Sequence, residues 1–514
     1  MLKWDDNHYP SNNGPLIDML LETEEPLQSI TEETQQLYDQ IRKPLKPPKN
    51  IRKKTLSEKF WSLISTDFAI DDKKEIGFKA EEEQILPYWK NELDSEYERL
   101  QEVTGNYISV TQFGARGDGR TDSTAAFKGA FGNGGRKIFV PEGVYIVKGL
   151  KLPSWTRLVG AGKGKTILRL HNNTPKRRTL LANRNPIRGN RNIAVEGLTL
   201  DWNMERLSAD QKTATGNNLS SCLTFAKVRY GWVRDVDALN PGLHCFDISS
   251  SYYSYAGDGT KAKGGSSYVW LNRVTGSGFG DDGVTTHHSD HIFISNSHFS
   301  DPCGRSHKRG FSNSNGFEID DGSTNIWLAN NSSTRCFGGV EIKAHETSSA
   351  ASGVHISGHL SVNDNRAFNF RHIGHHQPGD DESQSAYMIS AQKLVAIHPV
   401  RTELYKNSSP RALVVSGYKN VVVNRFLFAG DPQYDYRHQT AASIQFRARN
   451  VALANGRFQG FRRAAIDLTI ASGNKNVQNV LVQSVHSHNS APAIIDSGDS
   501  ETEVRLNMIL RTET

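Results

Sequence analysis

Four cysteines in 514 residues, at 222, 245, 303 and 336, are too few and too scattered for a disulfide framework, and no Cys-x-x-Cys pair marks structural zinc. They read as reduced, packed thiols. No apolar run approaches the roughly 20 residues that cross a bilayer. Residues 1–13, MLKWDDNHYPSNN, lack the basic start and apolar stretch of a secretory signal. Membrane insertion and export by the usual route are therefore not expected. The formal charge is only +6, from 61 Lys and Arg against 55 Asp and Glu, which permits an anionic partner without calling for nucleic acid. With 36% hydrophobic residues and 44 glycines to 18 prolines, the composition is that of a folded, turn-rich chain.

Residues 1–104 differ from everything after them. The stretches 16–42 (LIDMLLETEEPLQSITEETQQLYDQIR) and 78–103 (FKAEEEQILPYWKNELDSEYERLQEV) carry helix-favouring residues with apolar positions three and four apart, broken or kinked at Pro26 and Pro87. Between them KPLKPPKNIRKK reads as an extended basic connector. These helices hold too little apolar surface for a core of their own, so 1–104 is expected to be a helical arm for attachment or trimerisation. From Val110 the character changes. VTQFGARGDGRTDSTAAFKGAF offers a strand, a glycine-rich turn, Asp122 as helix N-cap and an apolar-faced helix. Such a helix would cover the open end of a strand stack.

From about residue 190 a phrase recurs: Asn192-Ile193, Tyr268-Val269, His291-Ile292, Asn325-Ile326, Gly353-Val354, Asn420-Val421, Asn450-Val451 and Asn476-Val477, each followed by alternating apolar and polar residues. Ile292 to Ile326 is 34 residues, Ile326 to Val354 is 28 and Val421 to Val451 is 30. Irregular periods of this size, with strands and no intervening helices, predict an all-β right-handed parallel β-helix over 105–514. A β-propeller is the alternative, but its blades need four antiparallel strands and more constant spacing.

Within the solenoid five quartets align: Phe246-Asp247-Ile248-Ser249, Val284-Thr285-Thr286-His287, Phe317-Glu318-Ile319-Asp320, Val340-Glu341-Ile342-Lys343 and Phe368-Asn369-Phe370-Arg371. Side chains alternate along a strand, so first and third positions share the core and second and fourth form an outer ladder, about 4.8 Å per rung. Extended both ways, one column reads Thr224, Asp247, Thr285, Glu318, Glu341, Asn369, Gln445, Asp467. The other reads Ala226, Ser249, His287, Asp320, Lys343, Arg371, Arg447, Thr469. Asp281, Asp282, His288, Asp321, His345 and His372 flank the middle.

Stacked carboxylates repel, so Glu318 beside Glu341 is expected to raise one of the two unless a cation intervenes, and a raised carboxyl can act as general acid. Carboxyls on adjacent rungs sit near the roughly 5 Å of retaining glycosidases, and Asp247 and Glu318, two rungs apart, near the roughly 9 Å of inverting ones. Lys343, Arg371 and Arg447 favour an anionic polymer over a neutral sugar. His287 suits acid–base work near neutrality. No cofactor is required by the sequence, but His287, Glu318, Asp320 and Glu341 offer N and O ligands, which leaves a divalent metal open. A solvated face of alternating charge is the non-catalytic alternative. Two motifs are set aside: GAGKGKT at 160–166 has Val159 where a phosphate loop needs glycine, and reads as a turn between rungs. His372, His375 and His376 in RHIGHHQPGDD fit a loop as well as a metal.

VTQFGARGDGRTDSTAAF resembles the opening segment of the pectate-lyase-like superfamily of phage tailspikes. FGDDGVTTHHSDHIFISNSHF, NGFEIDDGSTNIWLANN, GGVEIKAHE, FNFRHIGHH and SIQFRARNVAL look much like the pre-neck appendage, or tailspike, family of short-tailed phages of Gram-positive bacteria. The resemblance spans roughly 106 to 490. It covers neither the helical segment nor the C-terminal chaperone segment such appendages can carry. It implies a homotrimeric β-helical spike on the virion tail or neck, made in the host cytoplasm. Such a spike adsorbs to the cell wall and hydrolyses wall teichoic acid, a glycerol-phosphate polymer. Carried over residue by residue, it implies Glu318, Asp320, Glu341 and His287 at the reacting phosphodiester, and Lys343 and Arg371 on flanking phosphates. Asp247 joins the catalytic set from its place in the ladder, and Asp282, His288, Asp321, His345 and Arg447 are expected in substrate binding. A glycoside hydrolase or polysaccharide lyase on the same scaffold, and a non-catalytic receptor-binding spike, are the alternatives.

Overall fold

The computed structural model describes residues 8–42, 63–68, 78–81, 84–213, 219–253, 256–345, 348–372, 382–471, 477–496 and 504–512. Its body is a right-handed parallel β-helix. Among the described residues, one sheet of twelve strands runs in chain order from Leu150–Leu152 to Ala493–Asp496, and a second of nineteen wraps the rest of the coil. Phe246, Ile248, Phe317, Ile319, Val340, Ile342, Phe368 and Phe370 are all in the continuous core that fills the coil, so the quartets face as their alternation predicts.

The recurring Asn-Val phrase has a backbone cause. Its first residue is left-handed at every described position: Asn192 (φ 52), Tyr268 (φ 56), His291 (φ 53), Asn325 (φ 57), Gly353 (φ 61), Asn420 (φ 58) and Asn450 (φ 53). The chain turns a corner there, and the ladder register skips that residue, pairing Tyr387 with Lys419 and then Ile389 with Val421. Asparagine and glycine tolerate this conformation better than other residues. The eighth phrase was misplaced: Asn476 lies outside the described residues, and the corner falls at Asn479 (φ 52), before Val480. The corner asparagines also bond to each other, Asn450 Nδ2 donating to Asn420 Oδ1 at 2.8 Å and Asn479 Nδ2 to Asn450 Oδ1 at 2.9 Å. Asn450→Val would impose a left-handed β-branched residue and delete both ladder bonds. We expect about 2–4 kcal/mol of destabilisation, read as a lower denaturant midpoint.

One rung was missed. Arg411–Ser416 lies between Arg366–Arg371 and Thr440–Gln445, and its outward position is Val414, so RALVVS shows no polar signal in the ladder column. The columns beyond Asn369 therefore change: Asn369 aligns with Val414, then Ser443, then Thr469. Gln445 aligns with Ser416 and through it with Arg371. Thr469 thus belongs to the first column, and Asp467 and Arg447 fall outside both.

The apolar-faced helix, Thr124–Phe131, sends Phe127, Ala130 and Phe131 into the end of the core. Its N-cap is Ser123, one residue later than expected, and Asp122 takes the Thr124 N–H at 3.0 Å. Helices α1 (Asn13–Leu21) and α2 (Leu27–Ile41) are separated at Pro26 as the sequence predicts. Before α3 (Lys90–Thr104) the chain forms strands Phe78–Glu81 and Gln84–Pro87 in place of the expected helix. The three helices lie along the solenoid. Ile17 packs with Leu360 and Val395, Leu37 and Tyr38 with Tyr387 and Val422, and Leu93 and Leu100 with Trp232 and Trp327. Ion pairs Asp18–Lys393 (2.5 Å), Glu22–Arg457 (2.8 Å) and Glu33–Arg425 (3.0 Å) edge this contact. The connector KPLKPPKNIRKK lies outside the described residues. Cys222, Cys245 and Cys336 are buried in the core as expected, whereas Cys303 is exposed on the loop between His298–Ser300 and Asn315–Ile319. No described helix is long and apolar enough to cross a membrane.

Candidate functional site

The twelve-stranded sheet sets the ladder. Thr224, Asp247, Thr285, Glu318, Glu341 and Asn369 stand in register on successive strands. The second column continues one residue past the strands: His287 N bonds Ile248 O (3.1 Å), Asp320 N bonds Thr286 O (3.0 Å) and Lys343 N bonds Ile319 O (3.0 Å). His287, Asp320 and Lys343 are thus stacked as the quartets predict.

The ladder is not open to water. Asp247, Asp320 and Glu341 are 0% exposed and Glu318 4%, although all four point away from the core. The Tyr253 ring, from chain between the rungs, meets His287 edge-on at 4.7 Å, and Arg366 and Asn315, on the rungs themselves, bond Asn369 and Glu318. What remains open is a groove of about 680 Å³. Glu318, His287, Lys343, His345, Asp281, His244, His307 and Lys151 line it; Asp247, Asp320, Glu341, Asp282 and Asp321 are not among its lining residues.

Burial makes the charge pairing decisive, because an uncompensated buried charge costs several kcal/mol. Glu318 takes hydrogen bonds from Lys343 Nζ (2.7 Å), Thr285 Oγ1 (3.0 Å) and Asn315 Nδ2 (3.2 Å). Burial alone would raise its pKa, but Lys343 and His287 outweigh that and hold it at about 2. Glu341 is paired with Arg371 and accepts from Asn369 Nδ2 at 2.6 Å. Each stacked glutamate therefore has its own cation, and the expected repulsion does not raise Glu318. The raised carboxyls are others: burial and Asp321 push Asp320 to about 7, and burial, Glu318 and Asp281 push Asp282 well up. Asp321 is held low against its burial by His345, whose Nδ1 is 2.8 Å away, and Asp320 and Asp321 push His345 to about 9. Burial lowers His287 to about 3.

Among the expected binding residues, Lys343 and His345 reach the groove. Asp282 instead holds the next rung, accepting from Asn315 N (2.9 Å) and Nδ2 (3.0 Å). His288 is fully buried at a left-handed turn (φ 50), its Nδ1 accepting from Ala262 N at 3.3 Å. Arg447 follows the strand Thr440–Gln445 and its guanidinium lies over the neighbouring Phe446 ring, two residues past the place expected for it. His372 is buried, and His375 and His376 lie outside the described residues.

Two groove histidines were overlooked. His307 Nε2 bonds Asp281 Oδ1 at 2.7 Å, and His244 Nε2 lies 3.6 Å from Asp281 and 3.5 Å from Asp282. Alternation hid His244: His244, Asp282 and Asn315 stand two residues before Phe246, Val284 and Phe317 and so share the parity of the core positions, but Cys245 is in the core beside Phe246 and the alternation breaks there. His307 has no periodic signal, because it lies on an irregular loop.

The fold is the parallel β-helix of the pectate-lyase-like proteins. Residues 107–341 match the family model described as rhamnogalacturonase A/epimerase, pectate lyase-like. The chain belongs to the pre-neck appendage protein family of Bacillus phages. It is 45% identical, over 81% of its length, to the putative phage-related protein YobO of Bacillus subtilis (strain 168), covering 51% of that protein. It is 39% identical over 78% of its length to the pre-neck appendage protein of Bacillus phage phi29, covering 46% of it. Its coordinates superpose on the crystal structure of the N-terminal fragment of phage phi29 gene product 12 with a TM-score of 0.72 and 34% identity, covering 82% of this chain and 73% of that one. The chain spans about half the length of the curated relatives it matches.

Proposed function

We propose that the protein is a virion appendage that binds the host cell wall and hydrolyses wall teichoic acid in this groove. Homotrimerisation and attachment to the virion tail or neck, with residues 1–104 as the attaching segment, belong to the same proposal. The observation that carries it is the Glu318–Lys343 pair in the groove wall, 2.7 Å apart and nearly buried, with His307 and His345 at the groove mouth. Their side chains are 37% and 52% exposed, and each bonds a carboxylate through one ring nitrogen. A groove whose reachable donors are ammonium and imidazole groups suits a phosphate-bearing chain better than a neutral glycan. In the reaction, water attacks phosphorus, the bond from phosphorus to one glycerol oxygen breaks, and a proton goes to the departing alkoxide. Lys343 stabilises charge on the phosphoryl oxygens, and Glu318 orients Lys343 and, through Thr285, His287.

Purified cell walls incubated with the protein test this. Fragments ending in glycerol phosphate, identified by mass, are the expected product. New reducing ends or unsaturated uronates without glycerol-phosphate release would select a glycosidase or lyase, in keeping with the rhamnogalacturonase match. Wall binding with no release would select a non-catalytic spike.

A further inference from the structure

Three side chains beside the groove end in converging atoms, with His345 Nδ1 at their edge, 2.8 Å from Asp321 Oδ2. One ligand atom each from His287, Asp320 and Asp321 lies within 4.8 Å of the others. His287 Nδ1 and Asp320 Oδ2 are buried and have no hydrogen-bond partner. The nearest cations to Asp320 Oδ2 are His345 Nδ1 at 3.5 Å and Lys343 Nζ at 3.7 Å, and His287 Nδ1 is 3.9 Å from Asp321 Oδ2.

The tautomer of His287 follows from its neighbours. Glu318, ion-paired to Lys343, has no proton to give, so the Thr285 hydroxyl donates to Glu318 Oε2 at 3.0 Å. That hydroxyl can then only accept from His287 Nε2, 3.1 Å away. The ring proton is on Nε2, and Nδ1 turns a bare lone pair toward carboxylate oxygens. Lone pairs facing each other in a dry site repel, and a cation between them removes the conflict.

The remaining atoms of the trio are already held. Asp320 Oδ1 takes the Asp321 N–H at 2.8 Å, and Asp321 Oδ1 takes the His345 N–H at 2.8 Å. Each ligand is thus fixed by a second bond, as in metal sites whose outer partners set ring tautomer and carboxylate angle. Two ligands about 2.1 Å from one ion are at most about 4.2 Å apart, so closure asks for movements of about half an ångström. In the other trio, His244, Asp281 and Asp282, neither carboxylate has a buried oxygen left without a hydrogen-bond partner, Asp281 being bonded to His307 and Asp282 to Asn315.

We propose that His287 Nδ1, Asp320 and Asp321 bind one divalent first-row transition-metal ion, Mn2+ or Zn2+, at the edge of the groove. One imidazole with two carboxylates suits these ions better than Ca2+ or Mg2+, which favour all-oxygen shells. The inference goes beyond the phosphodiesterase reading and is independent of it, since metal binding is measured without polymer.

The test is titration of the chelator-treated full chain with Mn2+, following free ion by electron paramagnetic resonance, and with Zn2+ by calorimetry. One equivalent is expected to bind. His287→Ala and Asp320→Asn should weaken binding about 100-fold or more, and Thr285→Val, which removes only the hydroxyl that sets the tautomer, about 10–100-fold. His244→Ala should bind as the wild type does. The proposal is overturned if the wild type binds neither ion stoichiometrically, if folded Thr285→Val and His287→Ala bind undiminished, or if His244→Ala is the variant that loses the site.

Discussion

Glu318→Gln is expected to lower the release of wall fragments by about 10²–10⁴-fold while leaving the β-helix folded. That range is typical for loss of a group acting on protons or charge in the transition state. Glu318 is the ladder carboxylate that both faces the groove and is bonded from three sides. Glutamine keeps its shape but presents an amide to donors that need an acceptor, and it frees Lys343 to turn toward Asp320, 3.7 Å away. The check is the initial rate of fragment release, with circular dichroism confirming the strand content. Glu341→Gln is the informative companion. Glu341 is paired with Arg371 and does not line the groove, so its effect on rate should be much smaller. Equal losses in both variants would mean that the column acts by holding the fold.

Lys343→Met is expected to cost about 3–5 kcal/mol of stability in the presence of chelator, because it strips the cation from a buried carboxylate without removing the carboxylate. Lys343 is 7% exposed and Glu318 4%, so water cannot take over the neutralisation. The double variant Lys343→Met with Glu318→Leu replaces both charges by apolar groups of similar length and should recover most of that loss. Denaturant midpoints of the two single variants, the double variant and the wild type give the coupling directly. Additive losses would show that the pair is more hydrated than its burial implies.

Much of the architecture was legible because a β-helix writes its geometry into sequence twice. Alternation within Phe317-Glu318-Ile319-Asp320 sets which side chains enter the core, and the left-handed corner at Asn325, Asn420 or Asn450 selects asparagine or glycine immediately before an apolar residue. Both signals are local, so both survive variable loop lengths. What escaped was non-local. That water is excluded from the ladder depends in part on chain between the rungs, such as Tyr253 over His287, that follows no period. The rung at Arg411–Ser416 escaped for the opposite reason: Val414 in the outward position made it resemble core, and its omission displaced Asp467 and Arg447 from their true places. His244 was hidden because alternation gives it the parity of core residue Phe246 and breaks at Cys245, and His307 reached the groove from a loop.

The most direct measurement of the central claim is 31P nuclear magnetic resonance of purified poly(glycerol phosphate) during incubation with the wild type and with Glu318→Gln. Hydrolysis in the groove predicts that the phosphodiester signal falls as a phosphomonoester signal rises in equal amount, in the wild type alone. A wild-type spectrum that stays unchanged, or equal conversion by Glu318→Gln, would contradict it.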